Sequence, residues 1–284
     1  MPQPILEALK LFSPSECSFN YMWEKIGLND IQSKSGGYQK REISENSTDL
    51  SSWKSTEEHF GKNGRLLFRT TTDYKFHKSS VVITMRVKPS KYLIRHQRAI
   101  RSLPRVGVVL QLPSVFDKVM WEGLGPHENY NDRQASAWHG IHSKSIDELH
   151  TPYVVPGENG SRGGTKSICL IEEETSTRSS KTQNALHISY KNLSQNKSCR
   201  PKNGNSGAHF SISRYSVQEL TAALHEEGLP AIRKEDDRVL YLHIDCAHMG
   251  VGGDNSWSPA TLPEYFVPPQ EEWEYSITLR QIAV

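Results

Sequence analysis

Three segments of the sequence combine glycine, proline and asparagine with acidic and aromatic residues, and they are the first candidates for chemistry. They cover residues 121–133, 152–162 and 248–259. Tight turns built from such residues can aim side chains into a cleft. The same turns are common in all-β proteins, so turn formation and buried hydrogen bonding are the simpler interpretation of the pattern alone.

The third segment presents a tryptophan. Gly250, Gly252 and Gly253 permit backbone conformations that are closed to other residues, and the Ser-Pro pair that follows Trp257 restricts its freedom. An indole offers an apolar face and a ring N–H donor, which are the properties that stacking on a sugar ring requires. The alternative is a tryptophan buried beneath a loop, which the residue type by itself favours.

Acidic residues in these segments are candidates for a carboxylate pair in acid/base hydrolysis, in which one acid is protonated while its partner attacks or activates water. The sequence gives no separation between them. Glu128 and Glu158 each precede an asparagine in a turn, close to Arg133 and Arg162. We therefore expect both glutamates to bridge to arginines or to anchor turns. The four candidates are Glu128, Asp132, Glu158 and Asp254.

Another hypothesis is a metal site at His243, Asp245 and His248, but their spacing fits no strong ligand signature. We expect these side chains to make structural hydrogen bonds instead. The sequence contains no G-x-S-x-G, no glycine-rich phosphate loop and no H-E-x-x-H. The commonest hydrolase, nucleotide-binding and metalloprotease classes are thereby excluded.

The elements that must position these residues read as β-strands, because short alternating runs are separated by glycine, proline, asparagine and aspartate. Leu240, Leu242 and Ile244 share one face of residues 239–245, which we predict to be core. His243 and Asp245 lie on the opposite face, which we predict to be wetter. The predicted strands cover residues 65–72, 80–88, 105–111, 115–122, 167–171, 209–213, 239–245 and 273–280.

One helix is predicted at residues 216–227. Ser216 can cap this helix, Glu219 stands at the capping-box spacing, and Gly228 ends it. The polar composition of residues 172–207 predicts an exposed insertion that interrupts a strand pair. Residues 33–55 are similarly polar and predict a long loop or an irregular hairpin. Together these features indicate one β domain with insertions.

Composition excludes several kinds of partner. The 284 residues include 34 Lys and Arg against 32 Asp and Glu, and a formal charge of +2 is too small for a generic nucleic-acid or polybasic membrane partner. The sequence predicts neither a signal peptide nor an apolar stretch that could span a bilayer. The cysteines are widely separated and favour a reducing, cytoplasmic location; they are Cys17, Cys169, Cys199 and Cys246.

Residues 121–133 and 248–259 resemble the C-terminal domain, the small chain or domain 5, of glycoside hydrolase family 2 β-galactosidases. Residues 151–162, 210–216 and 21–27 also occur in that family's order. The resemblance leaves residues 1–20 poorly matched and implies one domain over residues 21–284, interrupted by the polar insertion. It implies an all-β fold, a large antiparallel super-sandwich similar to galactose mutarotases with one short helix.

The resemblance also implies roles for single residues. Trp257, with Asp254 and Ser256, is expected to bind substrate in an active site formed largely by another domain. The catalytic glutamates and magnesium ligands of such enzymes lie in a TIM-barrel domain with no counterpart in this sequence, so we expect no catalytic residue, metal or cofactor in this chain. The residues expected to shape loops are Gly125, Pro126, Glu128, Asn129, Asp132, Arg133, Glu158, Asn159, Arg162, His248, Gly250, Gly252 and Gly253.

The sequence departs from the family pattern at its start and in the polar insertion. The family domain begins further upstream, with several strands and an R-A-P-x-D-N-D segment that this sequence does not contain. Without those strands, a sheet edge or an apolar face would be uncovered. We therefore expect association with another polypeptide.

The leading hypothesis is an accessory small subunit of a β-galactosidase, which completes the galactoside-binding cleft together with a barrel-bearing large subunit. The alternatives are a stand-alone carbohydrate-binding module, a gene fragment or degenerate copy without activity, and a mutarotase-like enzyme. The last of these needs an acid and a base in one pocket. The candidates for that pair are His127, His243 and Glu158.

Overall fold

The computed structural model describes residues 19–40, 50–172, 183–194, 207–231, 239–252 and 261–284. Over these residues the chain is mostly antiparallel sheet, so the predicted all-β class is confirmed. The described strands are β1 (Gln32–Lys40), β2 (Ser51–Phe60), β3 (Leu66–Phe76), β4 (Ser80–Pro89), β5 (Arg105–Pro113), β6 (Phe116–Gly125), β7 (Trp138–Ser145), β8 (Arg162–Thr165), β9 (Ser167–Glu172), β10 (Asn184–Asn192), β11 (Ala208–Ser213), β12 (Val239–His248) and β13 (Trp273–Ala283).

Three α-helices occur in the described residues, where the sequence predicted one. They are α1 (Phe19–Ile26), α2 (Lys91–Ile100) and α3 (Val217–Ala222). Short 3₁₀ helices occupy Asp147–Leu149, Glu226–Gly228 and Pro263–Tyr265. None of the helices in this part of the chain is long and apolar enough to cross a bilayer.

The strands form two sheets that pack face to face. The large sheet has the order β1-β2-β3-β4-β13-β10-β9-β6-β7, and the small sheet has the order β5-β12-β11-β8. The main hydrophobic core lies between them and draws side chains from both. Trp121 of β6, Ile277 of β13 and Leu242 of β12 are all buried in it. The architecture is therefore an antiparallel sandwich, as predicted.

Strand β12 places apolar residues on one face and polar residues on the other. Leu240, Leu242 and Ile244 are buried in the main core, as their alternation predicted. His243 and Asp245 lie on the outer face of the small sheet, and both are buried as well. This outer face is drier than predicted, because polar side chains from neighbouring elements lie over it.

A second hydrophobic core lies under helices α1 and α2. Ser90 caps α2 by accepting the Leu93 N–H, and Leu93 and Ile100 are buried. Trp23 of α1 donates its ring N–H to the Ser102 carbonyl at 2.8 Å. The sequence analysis missed α2, although the serine cap and the seven-residue spacing of its two buried residues were available signals.

All eight predicted strands are present, with their ends displaced by a few residues. Of the two alternatives for residues 33–55, the irregular hairpin is the one that forms. Strands β1 and β2 pair antiparallel, with a register shift between Ser35 and Tyr38. Residues 41–49, between the two strands, lie outside the described residues.

The prediction of an insertion throughout residues 172–207 is wrong for its middle part. Strand β10 occupies Asn184–Asn192 and pairs with both β9 and β13 inside the large sheet. Ala185 and Ile188 are buried, but most other positions of the strand are polar, and this composition concealed it. Residues 173–182 and 195–206 lie outside the described residues.

Helix α3 has the predicted capping box. Ser216 Oγ accepts the Glu219 N–H at 3.1 Å, and the Glu219 carboxylate accepts the Ser216 N–H at 2.8 Å. The helix ends at Ala222, five residues short of the prediction, and Gly228 ends a separate 3₁₀ turn. None of its residues is buried, so little packing stabilises a longer helix.

Candidate functional site

The three glycine-rich segments meet beside the end of strand β12. The Asn129 N–H donates to the Ser161 carbonyl at 2.8 Å. The Asn131 side-chain amide donates to the His248 carbonyl at 2.7 Å. We call these converging segments, residues 126–133, 157–162 and 248–252, the loop frame. The tertiary structure thus unites the three segments that the sequence singled out.

Asn129 is fully buried at the centre of the loop frame. Its Oδ1 accepts the Gly163 N–H at 2.9 Å, and its Nδ2 donates to the His127 carbonyl at 3.1 Å. With its backbone bond to Ser161, the residue joins the first segment to residues 161–163 twice, and its bond to His127 closes a turn within the first segment. A buried amide satisfied in this way holds neighbouring loops in one arrangement.

Glu128 anchors the same two segments through its carboxylate. It forms an ion pair with Arg133 at 2.6 Å. It also accepts hydrogen bonds from the Tyr153 hydroxyl and the Gly160 N–H. The expected bridge from Glu128 to Arg133 is therefore present, and the carboxylate has a structural role in the described chain.

Glu158 also bridges to an arginine, as expected, but its partner is the distant Arg105 and not the nearby Arg162. Glu158 lies 3.1 Å from Arg105 Nη1 and 3.5 Å from His248 Nε2, and it accepts the Tyr130 hydroxyl at 3.3 Å. Burial by itself raises the pKa of Glu158, but its contacts with His248 and Arg105 outweigh burial and hold the pKa at about 2. The carboxylate is therefore ionised at neutral pH.

Arg162 instead donates to backbone carbonyls. Its Nη1 bonds the Leu149 carbonyl at 3.1 Å and the Gly160 carbonyl at 2.6 Å, and its guanidinium lies 5.8 Å from the centre of the Trp121 ring. Burial lowers the pKa of Arg162 to about 10. The charged guanidinium can be buried because carbonyl oxygens and an indole face take the place of the water molecules that would otherwise solvate it.

The third segment is held at its base by Asp132 and Thr261. Asp132 Oδ2 accepts the Gly252 N–H at 2.7 Å. Thr261 Oγ1 donates to the carbonyls of Gly250 and Gly252 at 3.3 and 3.1 Å. A Cβ atom on Gly250 would lie 2.6 Å from Asp132 Oδ2, so only glycine fits there.

The side chain expected to bind sugar cannot be placed. Trp257, Asp254, Ser256 and Gly253 all lie outside the described residues. The structure does define the two residues that flank this segment. Thr261 Oγ1 donates to the Gly252 carbonyl, so the two flanking residues lie next to each other.

The remaining loop-shaping residues close tight local turns. Asn159 Oδ1 accepts the Thr151 N–H at 3.2 Å, and its Nδ2 donates to the Gly157 carbonyl at 2.9 Å. Gly125 ends β6 so close to Trp121 and His142 that a Cβ atom would come within 2.9 Å of both side chains. Pro126 follows through a cis peptide bond.

Several histidines lie next to the loop frame. His209 donates from Nε2 to Asn131 Oδ1 at 2.9 Å and accepts the Ser161 hydroxyl at Nδ1, 3.1 Å away. Burial lowers the pKa of His209 to about 3, so the ring is neutral. His248 contacts the Met249 carbonyl through Nδ1 at 2.7 Å. Burial lowers the pKa of His248, but the adjacent Glu158 outweighs it and raises the pKa above the usual value.

The metal-site hypothesis finds no support in this cluster. In the part of the chain that the structure describes, no three His, Cys, Asp or Glu side chains are arranged to hold a metal ion. Asp245 instead lies 3.7 Å from Arg105 Nη1, and burial raises its pKa to about 6. His127, proposed with His243 and Glu158 as an acid/base group, is exposed and bonds Ser136 at 2.9 Å.

Arg105 and His209 are the residues that the sequence analysis missed. Arg105 opens the apolar run of β5, and His209 lies in β11, so their carboxylate and amide partners are distant in sequence. Only the register of the small sheet, which sets Asp245 opposite both Gly107 and His209, brings them together. No local motif marks either residue.

Solved structures with a similar overall course are distant in sequence. A protein assigned as an aldose 1-epimerase from Escherichia coli is 12% identical, with a TM-score of 0.37 over 88% of this chain and 69% of that one. A GH36 α-galactosidase from Geobacillus stearothermophilus is 8% identical, with a TM-score of 0.37 over 89% of this chain and 28% of that one.

Curated relatives are closer. The β-galactosidase of Vibrio cholerae is 39% identical over 181 residues, which are 63% of this chain and 14% of that protein. The β-galactosidase of Pectobacterium atrosepticum is 32% identical over 238 residues, which are 84% of this chain and 19% of that protein. The chain thus spans less than a fifth of the length of either relative.

A family model described as the β-galactosidase small chain matches residues 14–279. The match contains all three segments of the loop frame and both sheets of the sandwich. The chain therefore belongs to the β-galactosidase small-chain family.

Proposed function

We propose that this chain completes the galactoside-binding cleft of a β-galactosidase whose catalytic carboxylates lie in another domain or chain. The observation behind the proposal is a mismatch of lengths. The family model matches residues 14–279, yet the matched part is only 14% and 19% of two β-galactosidase relatives. Most of what those enzymes contain is therefore not represented in this sequence.

The electrostatics of the loop frame support a non-catalytic role. Hydrolysis with two carboxylates needs one of them protonated, and therefore a raised pKa. Glu158 has a pKa of about 2 and an arginine partner, and Glu128 is occupied by Arg133, Tyr153 and Gly160. Both glutamates stabilise the loops, so the proton donor and the nucleophile belong to the partner.

The proposed substrate contacts are Trp257, with Asp254 and Ser256 beside it. The support lies at the base of their segment. Asp132 and Thr261 fix Gly252 with hydrogen bonds of 2.7 and 3.1 Å, and a fixed base limits where an indole can be presented. Stacking on a sugar ring needs such a pre-set aromatic face.

The partner we infer is a barrel-bearing chain or domain that supplies both catalytic glutamates, together with any magnesium, and the substrate we infer is a terminal β-galactoside. We also infer a reducing, cytoplasmic setting. Cys169 and Cys246 are not joined in a disulfide in the described chain, and the four cysteines show no paired spacing.

The test is an activity assay with a chromogenic β-galactoside. The purified chain is assayed alone and after mixing with a β-galactosidase chain that carries the barrel but lacks its own small-chain domain. We expect no turnover by this chain alone and a gain of activity on mixing. Robust turnover by the chain alone would contradict the proposal, as would a mixture no more active than the barrel-bearing chain.

A matched pair of tryptophan variants tests the substrate contact. Trp257→Ala is expected to lower kcat/KM of the mixture by roughly fivefold, since an aromatic contact contributes about 1 kcal/mol. Trp138→Ala is the control, because Trp138 is 59% exposed on strand β7. Equal effects of the two substitutions would count against a role for Trp257.

The alternative of a stand-alone carbohydrate-binding module predicts a different result. Such a module binds free galactose or lactose through Trp257 without a partner, whereas an accessory chain has no use for Trp257 until the cleft is assembled. Calorimetric titration of the intact chain and of Trp257→Ala separates them. Binding by the chain alone that Trp257→Ala abolishes would favour the module.

A further inference from the structure

Helix α2 presents a row of basic side chains to solvent. Lys91, Arg95 and Arg98 are all exposed and stand at positions i, i+4 and i+7. Residues at this spacing share one face of a helix, and here they lie about 6 Å and then about 4.5 Å apart along its axis. Ile94 is 42% exposed between them. We call these four residues the basic face.

The cations of the basic face form no ion pair within the described part of the chain. Helix α2 itself contains no Asp or Glu. Lys88, three residues before the helix, does have a partner, since it pairs with Glu272 at 3.3 Å. The charges of Lys91, Arg95 and Arg98 therefore remain available to another molecule.

The stability of the helix does not explain this row of cations. Like charges three and four positions apart repel each other on a helix surface. Lys91 lies in the first turn, where the helix dipole favours an acid and opposes a cation. Of the three, Arg98 alone lies in the last turn, where a cation is favourable. A pattern that weakens its own helix is better explained by contact with another molecule.

The positive charge of the whole chain is concentrated around this helix. Residues 91–101 contain four Lys and Arg and no Asp or Glu, while the other 273 residues carry 30 Lys and Arg against 32 Asp and Glu. The exposed Arg65 adds a further cation beside α2, because it donates to the Tyr92 hydroxyl at 3.1 Å and stacks on that ring at 5.0 Å. The formal charge of +2 thus conceals a local basic surface, which suits a short acidic segment.

The opposite face of α2 fixes the helix on the protein. Leu93 and Ile100 are buried in the second core, and Ser90 caps the helix by accepting the Leu93 N–H. A basic amphipathic helix binds a membrane by burying its apolar face among the lipids. The apolar face of α2 is already occupied by the core, so the exposed face is held in place for a partner that reads charge at the surface.

Ile94 distinguishes the basic face from a surface that carries only charge. It stands three positions from Lys91 and four from Arg98, so it is a surface neighbour of both. An apolar side chain surrounded by polar groups is typical of the contact between two proteins. Recognition of phosphates relies on cations and hydrogen-bond donors instead. The arrangement therefore favours a polypeptide over a nucleic acid.

We propose that the basic face docks an acidic segment of another polypeptide, with carboxylates against Lys91, Arg95 and Arg98 and an apolar side chain against Ile94. This docking surface requires neither Trp257 nor a galactoside, so it does not depend on the proposed function. Failure of either proposal is visible without the other, because one is measured by binding of a peptide and the other by hydrolysis.

The experiment measures the fluorescence anisotropy of a labelled probe peptide that is titrated with the intact chain. The probe is an alanine-based helical peptide with the spacing of the basic face, glutamate at i, i+4 and i+7 and leucine at i+3. At low salt we expect saturable binding with a Kd below about 1 mM. The triple variant Lys91→Gln, Arg95→Gln, Arg98→Gln should bind about tenfold more weakly, since each exposed ion pair adds about a twofold to threefold gain in affinity.

Two further variants provide the controls. The triple variant Lys34→Gln, Lys40→Gln, Lys118→Gln removes the same charge at exposed positions of β1 and β6, so it should bind the probe as the parent does. Ile94→Ser tests the apolar contact. It should weaken binding of the leucine probe by about threefold and leave unchanged the binding of a probe with serine in place of leucine.

Three outcomes would overturn the proposal. The first is a parent chain that shows no saturable binding of the probe at low salt. The second is equal weakening by the two triple variants, since binding would then follow net charge and not the basic face. The third is tighter binding of a single-stranded oligonucleotide or of phosphatidylserine vesicles than of the peptide, since the partner would then be a nucleic acid or a membrane.

Discussion

The loop frame and the first three strands of the large sheet contrast in how well they are covered. We call β1–β3 the sheet wing. In the loop frame even polar residues are buried, with Asn129 fully enclosed. In the wing every position of β1 is exposed, and Tyr38 keeps 63% of its surface in solvent. Both regions have polar sequences, so polarity alone does not explain the difference.

One row of cross-strand neighbours on the large sheet shows the cause. Trp53 of β2, Tyr74 of β3, Ile83 of β4 and Ile277 of β13 follow one another across the ladder. The exposed fraction falls from 37% for Trp53 to 0% for Ile277. The small sheet covers one end of the row and not the other. Burial therefore depends on which surface packs against each part of the large sheet.

Replacing a tryptophan by alanine should give the largest difference in stability between the main core and the sheet wing. Trp121 is buried between His142 and Phe210 and donates its ring N–H to the Leu124 carbonyl at 2.9 Å. Trp121→Ala should therefore cost about 4 kcal/mol of unfolding free energy, against about 1 kcal/mol for Trp53→Ala. Urea unfolding measures both. Comparable losses would show that the wing is covered as fully as the core.

A pair of asparagine substitutions tests whether a buried polar side chain stabilises the protein more than an exposed one. Asn129→Ala removes a buried amide with two side-chain hydrogen bonds and leaves the Gly163 N–H unsatisfied. The expected loss is about 3 kcal/mol. Asn63 accepts the Arg65 N–H in an exposed turn before β3, and Asn63→Ala should cost less than about 0.5 kcal/mol. A small effect at Asn129 would mean that the frame tolerates loss of its central amide.

Glycine substitutions test how tightly the frame is packed. Gly250→Ala places a methyl group 2.6 Å from Asp132 Oδ2 and 2.9 Å from the Tyr265 Cβ, so we expect a loss of about 2 kcal/mol. Gly157→Ala is the control, because nothing lies within 4 Å of its Cβ position. Thermal unfolding should show a lower Tm only for the first. Equal Tm values would indicate that Asp132 moves without penalty.

Acid stability gives a smaller effect for each pH unit, and the effect accumulates across the pH range. The pKa of His243 is about 4 in the folded protein and 6.5 when unfolded, so the unfolded state binds more protons between these values. Stability therefore falls as the pH drops from 6.5 to 4. His243→Gln should reduce this slope by about 1.4 kcal/mol per pH unit. His209 adds the same sign and Asp245 opposes it in both proteins.

The control for the pH experiment is Val115→Ala, an exposed position in the turn between β5 and β6. Unfolding free energies of all three proteins are compared at several pH values from 4 to 6.5. An unchanged slope in His243→Gln would mean that the imidazole is not buried as a neutral group. A slope altered by Val115→Ala would mean that the effect does not come from His243.

Much of the fold was predictable because strand alternation is a local property. The eight predicted strands and the capping box of α3 are read from neighbouring residues, and all are present. Strand β10 escaped because its outward positions are polar, and pairing on both sides, rather than composition, makes it a strand. Helix α2 escaped because its buried residues are few, and their partners in the second core lie on other elements.

Some contacts of the candidate site could be predicted from the sequence and others could not. The bridge from Glu128 to Arg133 spans five residues and follows from the turn between them. The partner of Glu158 is Arg105, more than fifty residues away, and the nearer Arg162 turns to backbone carbonyls instead. Spacing indicated the short contact but gave no sign of the long one, because a salt bridge depends on distance in space.

Turn and strand preferences act over a few residues, so the amino-acid sequence is enough to predict the all-β class, the positions of most strands and the three segments that form the loop frame. Which side chains meet depends on the tertiary fold. The register of β5, β11 and β12 sets Arg105, His209 and Asp245 side by side. The reach of the small sheet decides which half of the large sheet is dry, because burial and charge pairing depend on surfaces brought together by folding.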